Sequence, residues 1–198
     1  MISRSVFNHV LEKNANFASW AVWAKAGLRP KSNMGDLSCF SPEKIEETLP
    51  LLHTDFVLVG LNISTIDITI PLSNFHGENG EVYKARYALD GTPLWGAYMT
   101  DIIKNFKEPD STKILRALKA DPALERMHVD LFREELAAIG AEDATLVAFG
   151  AGVSDILNRH FRSQFRLMRI PHYASKCNKE TYKVNVIDCL KNQLGQAG

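Results

Sequence analysis

Apolar positions along the chain switch between two periods. Val6, Val10, Phe17, Trp20 and Trp23 recur at roughly helical intervals as far as Gly27 and Pro30, so the N-terminal stretch is expected to be helical. Ser41-Pro42-Glu43 has the composition of a helix start, with Ser as N-cap and Pro at the first helical position; that helix is expected to reach about Leu52. The largely apolar run 55–60 reads as a strand buried on both faces. Residues 64–96 carry no long periodic element and hold Gly77, Gly80, Gly91 and Pro93, as a functional or mobile loop region does. Strands are expected again at 96–103, 145–150 and 165–170, and helices at 111–119, 123–139, 153–160 and 179–194. This alternation predicts an α/β fold: three layers, α/β/α, around a central, mostly parallel four-stranded sheet. The chain, 1–198, is expected to form a single domain, with 1–40 as a helical N-terminal extension.

Composition narrows the class. A chain of 198 residues can bury one proper core. No apolar run approaches bilayer length, and the first ten residues lack the continuous apolar stretch of a signal peptide, so a cytoplasmic protein without membrane attachment is expected. Cys39, Cys177 and Cys189 show no metal-type spacing, so neither a disulfide framework nor a metal site is expected. Lys and Arg together number 23, as do Asp and Glu, and zero net charge argues against a general nucleic-acid binder. The charge is nevertheless uneven. Between 159 and 183 stand Arg159, Arg162, Arg166, Arg169, Lys176, Lys179 and Lys183, with Glu180 the only acid. A solvated helix and loop surface would look like this; so would a phosphate-contacting strip.

Candidate chemistry gathers at expected strand ends. Asn62 follows an apolar strand and Gly60, where the chain can turn and a side chain can project; Asn there is a turn-former, or it holds a water or a carbonyl edge. His172 follows the last strand after Pro171, and Asp101 lies toward the end of the second. Ligands in open α/β sheets bind outside the carboxyl ends of the strands, so these three side chains are expected to face one crevice. Phe75 is an aromatic in the Gly-rich stretch that could wall a slot. Gly150-Ala151-Gly152 lacks the third glycine of a dinucleotide fingerprint, Asp155 standing in its place, and reads as a tight strand-to-helix turn.

From Phe56 to Lys183 the chain resembles the uracil-DNA glycosylase superfamily. Val59-Gly60-Leu61-Asn62 is similar to the first motif of its single-strand-selective and mismatch-specific branches, where Gly-Met-Asn-Pro or Gly-Ile-Asn-Pro stands. Tyr98-Met99-Thr100-Asp101-Ile102-Ile103-Lys104 resembles a Tyr-Ile-Thr-Asn-Val-Val-Lys strand of the thermostable branch, and Leu146 to Ala151 that branch's strand before the third helix. His172-Tyr173-Ala174-Ser175 stands where the second motif, His-Pro-Ser or His-Pro-Ala, is found.

The resemblance implies a DNA glycosylase that flips a damaged or modified base out of DNA and hydrolyses its N-glycosidic bond, a DNA-repair reaction. Asn62 would position the attacking water and His172 would stabilise charge on the departing base. Gly60, Leu61, Phe75 and Asp101 would form the base pocket, with Phe75 stacking and Asp101 reading the base edge. Ser64, Tyr173, Ser175 and Lys176 would contact DNA. No cofactor or metal is implied, and a monomer is expected. The family's four cluster-binding cysteines are absent, so no iron–sulfur cluster is expected. Ile63 and Tyr173 replace the prolines of the two motifs, and Asp101 replaces an Asn. An ionised carboxylate offers only acceptors, which suits a base edge with two donors; burial that kept Asp101 protonated would restore one donor. Two other readings fit the same residues: a non-catalytic nucleobase- or nucleic-acid-binding relative, and a hydrolase of nucleosides or other small molecules.

Overall fold

The computed structural model describes residues 1–63, 68–78 and 80–195. Its five strands, β1 (Ala18–Trp20), β2 (His53–Asn62), β3 (Ala97–Ile103), β4 (Thr145–Phe149) and β5 (Arg166–Ile170), form one mixed sheet in the order β1-β3-β2-β4-β5. Around it, among the described residues, lie α1 (Arg4–Lys13), α2 (Ile45–Thr48), α3 (Tyr83–Leu89), α4 (Ser111–Ala120), α5 (Pro122–Ala138), α6 (Ala151–His160) and α7 (Lys179–Leu194).

The four expected strands are β2 to β5, all parallel. The sheet is nevertheless five-stranded and mixed, because β1 pairs antiparallel with β3, Ser19 opposite Met99. This corrects both the four-stranded expectation and the helical reading of Phe17 to Trp23. Ala18, Ser19 and Trp20 are all buried, leaving none of them for the solvated face of a surface helix. Pairing with the edge of β3 outweighs a local helical spacing. The first forty residues therefore supply one helix, one edge strand and a short 3-10 turn at Ser38–Phe40. The helix expected from Ser41 is also shorter: the Lys44 and Ile45 amides do bond to the Ser41 carbonyl, but after Thr48 the chain tightens into a 3-10 turn at Leu49–Leu51. Pro50 has no N–H to continue the ladder. Helix α3 arises inside a stretch without helical periodicity. Five of its seven residues are buried, two of them Lys84 and Arg86, so no apolar stripe marks it.

Alternate residues of each strand enter separate apolar clusters, as a period of two requires. Val57, Val59, Tyr98, Leu146 and Ala148 meet α1, α4, α5 and α6 on one face. Leu58, Met99, Val147, Phe149 and Ile170 meet α3 and α7 on the other. Helices thus cover both faces of the sheet. The chain leaves β2 through α3 toward β3, then returns on the other side of β2 with β4, α6 and β5. The direction of winding therefore reverses between β2 and β4, where α/β sheets open a crevice at their carboxyl ends.

Beneath α5 the end of β3 is fixed by a buried polar network. Lys104 Nζ lies 2.5 Å from Glu135 Oε2 and donates to Thr100 Oγ1 at 2.7 Å, while the Tyr98 hydroxyl donates to Glu135 Oε1 at 2.7 Å. The edge of β5 is closed differently: the Gln193 side chain accepts the Arg169 N–H at 2.9 Å and donates to its carbonyl at 3.0 Å, standing in for a neighbouring strand.

Candidate active site

Register decides which side chains meet. Gly60 pairs with Asp101, Val59 with Ala148, and Phe149 with Ile170, so Gly60, Asp101 and Phe149 fall in one lateral row. They belong to the face that α3 and α7 cover. Asn62 lies two residues further along β2, and His172, two residues past the end of β5, has its ring centre 6.4 Å from that of Phe149. Strands about 4.8 Å apart put the lines of β2 and β5 roughly 10 Å from each other, with the end of β4 between. Gly150 occupies that end with φ +85°, a conformation that favours glycine, and a Cβ there would stand 3.4 Å from His172 Cβ. Asn62 and His172 thus stand at the ends of β2 and β5, the two strands on either side of β4. The glycines of Gly150-Ala151-Gly152 have packing reasons: a Cβ on Gly152 would press to 3.0 Å from Leu115 of α4.

The floor is closely built. A Cβ at Gly60 would collide with the Asp101 carboxylate and stand 3.2 Å from the Phe75 ring, so only glycine lets these two side chains meet over β2. Phe75 is 7 % exposed and belongs to the apolar cluster beneath α3 and α7. Its backbone has φ 66°, a strained region for a bulky residue that costs on the order of 1–2 kcal/mol. The Trp23 indole N–H, donating to the Phe75 carbonyl at 3.1 Å, helps to hold it there.

Asp101 is 3 % exposed. Burial lifts its carboxyl from 3.8 to about 6, against the opposing pull of an Asn74 hydrogen bond and of the Lys104 charge. Asn74 Nδ2 donates to Asp101 Oδ2 at 2.9 Å and to the Phe17 carbonyl at 2.7 Å. Asn74 escaped the sequence reading; its only signal was its place beside Phe75.

Asn62 Nδ2 is enclosed by three carbonyls, those of Ile63 at 2.9 Å and of Phe106 and Glu108 at 3.0 Å each. Such a cage fixes the amide orientation without ambiguity, since the carbonyl end could not face three acceptors. It ties the loop between β3 and α4 to the end of β2. The group left to bond elsewhere is Oδ1, an acceptor. Leu61 points to the opposite face and packs against the first cluster.

His172 Nδ1 accepts the Ala174 amide at 3.1 Å, and burial holds the ring below its ordinary pKa. A neutral imidazole that accepts at Nδ1 carries its proton on Nε2, so the ring is a donor there. Tyr173 tilts against it with ring centres 4.3 Å apart and meets Phe149 edge-on at 5.3 Å. Burial, and then the charge of Asp101, push the Tyr173 phenol well above its usual range. Ser175 donates its amide to the His172 carbonyl, and its own carbonyl accepts from Lys84 Nζ at 3.0 Å, which pins this turn to α3. Lys176 is exposed, and Ser64 lies outside the described residues. The basic strip divides: Arg159 forms a two-pronged pair with Glu125, Arg166 bonds to the Gln193 carbonyl, and Lys179 pairs with Glu180.

These features define an α/β protein with a five-stranded mixed sheet that carries polar side chains at the carboxyl ends of its parallel strands. No helix among the described residues is long and apolar enough to cross a membrane, and none of their His, Cys, Asp and Glu side chains group in threes as metal ligands do. Comparison with known proteins finds no matching family model, no matching curated protein and no matching solved structure.

Proposed function

We propose that the protein is a uracil-DNA-glycosylase-like hydrolase that cleaves the N-glycosidic bond of a damaged or modified base flipped from DNA. The observation that supports this reading is Asp101 beside Gly60 in the register, with Asn62 at the end of β2 and His172 just past the end of β5. In the reaction, a water accepted on Asn62 Oδ1 attacks C1′ of the sugar. The C–N bond breaks, its electron pair leaves with the base, and the proton that the attacking water sheds is taken up by the base anion through solvent. The His172 Nε2 proton is a donor toward the negative charge that develops there, and a neutral imidazole suits this role because it stabilises charge without first losing a proton. Above about pH 6 Asp101 is an acceptor pair, matched to a base edge with two donors; below it one oxygen becomes a donor. The Phe75 ring now covers Gly60, so base entry displaces it, and the strained φ at that residue favours such a move.

The test is incubation with duplex and single-stranded oligonucleotides carrying uracil, hypoxanthine, xanthine or oxidised bases. The reading expects an abasic product from at least one; none from any of them overturns the enzymatic claim. A second reading, a relative that binds a nucleobase without turnover, is favoured by the cage around Asn62 Nδ2, which gives that side chain a structural task. It expects saturable binding without product, unaltered by Asn62→Ala.

A further inference from the structure

A cleft of about 600 Å³ opens on the outer flank of α3, against the segment 23–30 and the start of α7. None of Gly60, Asn62, Phe75, Asp101 or His172 lines it. Its size falls in the range that holds a small organic ligand. Two kinds of side chain dominate the walls. Trp23, Trp95, Tyr83 and Tyr87 supply aromatic surface, and Lys25, Arg86 and Lys179 outnumber the single carboxylate of Asp90.

Arg86 is the decisive residue. It is only 5 % exposed, and no carboxylate lies within ion-pair distance of it among the described residues. Nη1 donates to the carbonyls of Ala24 at 3.0 Å and Ser32 at 2.9 Å, and Nη2 to that of Pro30 at 2.5 Å. These bonds explain why the 24–32 segment is held on α3. They use three of five N–H donors and neutralise none of the charge. A buried guanidinium without a counter-charge is costly unless an anion reaches it. On the rim, Lys179 and Lys183 lie 4.0 and 5.0 Å from the centre of the Tyr87 ring, with Glu180 tied to Lys179. Both ammoniums lie over the ring face, so this end of the cleft presents cations to an anion and leaves the other aromatic walls to a planar group.

We infer that this cleft binds a nucleotide: a base laid on the aromatic walls, with its phosphate directed to Arg86 and Lys179. Phosphate rather than a bare base is required by the uncompensated guanidinium, and a planar base rather than a bare phosphate by the aromatic walls. The same chemistry is offered by a free mononucleotide and by one residue of a single strand.

Two of the chain's three tryptophans line the cleft, so intrinsic fluorescence reports occupancy. The probes are adenosine monophosphate, adenosine, inorganic phosphate and a short oligothymidylate. Saturable quenching by the mononucleotide or the oligonucleotide is expected, with adenosine and phosphate each at least about tenfold weaker. Tighter binding of the oligonucleotide assigns a strand, and tighter binding of the mononucleotide assigns a free ligand. Tyr87→Ala and Lys179→Ala, both at the cleft mouth, are each expected to weaken binding about fivefold or more without moving the thermal midpoint. Three results overturn the inference: no saturable change up to about 10 mM of either nucleotide probe, adenosine binding as tightly as its phosphate, or unaltered affinity in both variants. The readout needs no base excision, so it stands or falls separately from the glycosylase reading.

Discussion

Replacing Asp101 with Asn tests the electrostatics of the crevice floor. The folded carboxyl titrates at about 6 against 3.8 unperturbed, and burial is the main cause. A group whose folded pKa is raised binds its proton more tightly in the native state. Its contribution is therefore favourable below the unfolded value and is lost as pH climbs through the folded one. Raising a carboxyl from 3.8 to about 6 corresponds to about 3 kcal/mol. Asp101→Asn has no such titration. The stability difference between variant and wild type should then grow in the variant's favour by about 3 kcal/mol between roughly pH 4 and 7, and stay level above that. In a chain of this size the growth equals roughly 6–12 °C in melting temperature. The new amide adds two donors, and one left without an acceptor would shift the whole curve by about 1–3 kcal/mol; the slope with pH is unaffected. Urea denaturation of both proteins at several pH values measures the difference directly, since every other titrating group is common to both. A difference that is flat between pH 4 and 7, or that moves in the wild type's favour, would refute the burial argument.

Three further outcomes follow from the packing. Gly60→Ala forces a methyl group into the Asp101 carboxylate and the Phe75 ring, and should lower stability by about 1–3 kcal/mol in equilibrium unfolding, with crevice function lost alongside. Lys104→Met leaves Glu135 buried without its cation and should cost about 3–5 kcal/mol at neutral pH; replacing both Lys104 and Glu135 with apolar residues should recover much of that loss. Gln193→Ala uncovers the β5 edge at Arg169, so light scattering on mild heating should show earlier aggregation, while the unfolding free energy changes by under about 1 kcal/mol.

The sequence was informative where local signals and burial agreed. The strands read at 145–150 and 165–170 and the helix at 179–194 differ from β4, β5 and α7 by no more than a residue or so, because each combines an apolar run of the right period with Gly, Pro or Asn at its ends. β1 was hidden because three buried residues have no alternation to show, and its partner lies about eighty residues away. α3 was hidden because Lys84 and Arg86, polar by composition, are buried to clamp two other segments. At the site, strand ends were readable as places, and the register sets Gly60 beside Asp101. The contacts were not readable. That Asn74 holds Asp101, that Phe75 lies down on Gly60, and that Asn62 ties a distant loop are consequences of tertiary approach. No spacing along the chain encodes them.

The central claim is that these strand ends hold a flipped base and hydrolyse its glycosidic bond. Single-turnover excision, with wild type, Asn62→Ala and Asp101→Asn on the same set of modified oligonucleotides, tests it most directly. The account predicts excision of a base with a two-donor edge by wild type and a loss of at least about a hundredfold in Asn62→Ala, the range for a group acting on the attacking water. It also predicts a gain of uracil excision in Asp101→Asn, because an amide matches an edge with one acceptor and one donor. No abasic product from any oligonucleotide, or a rate and base preference that neither substitution alters, would contradict it.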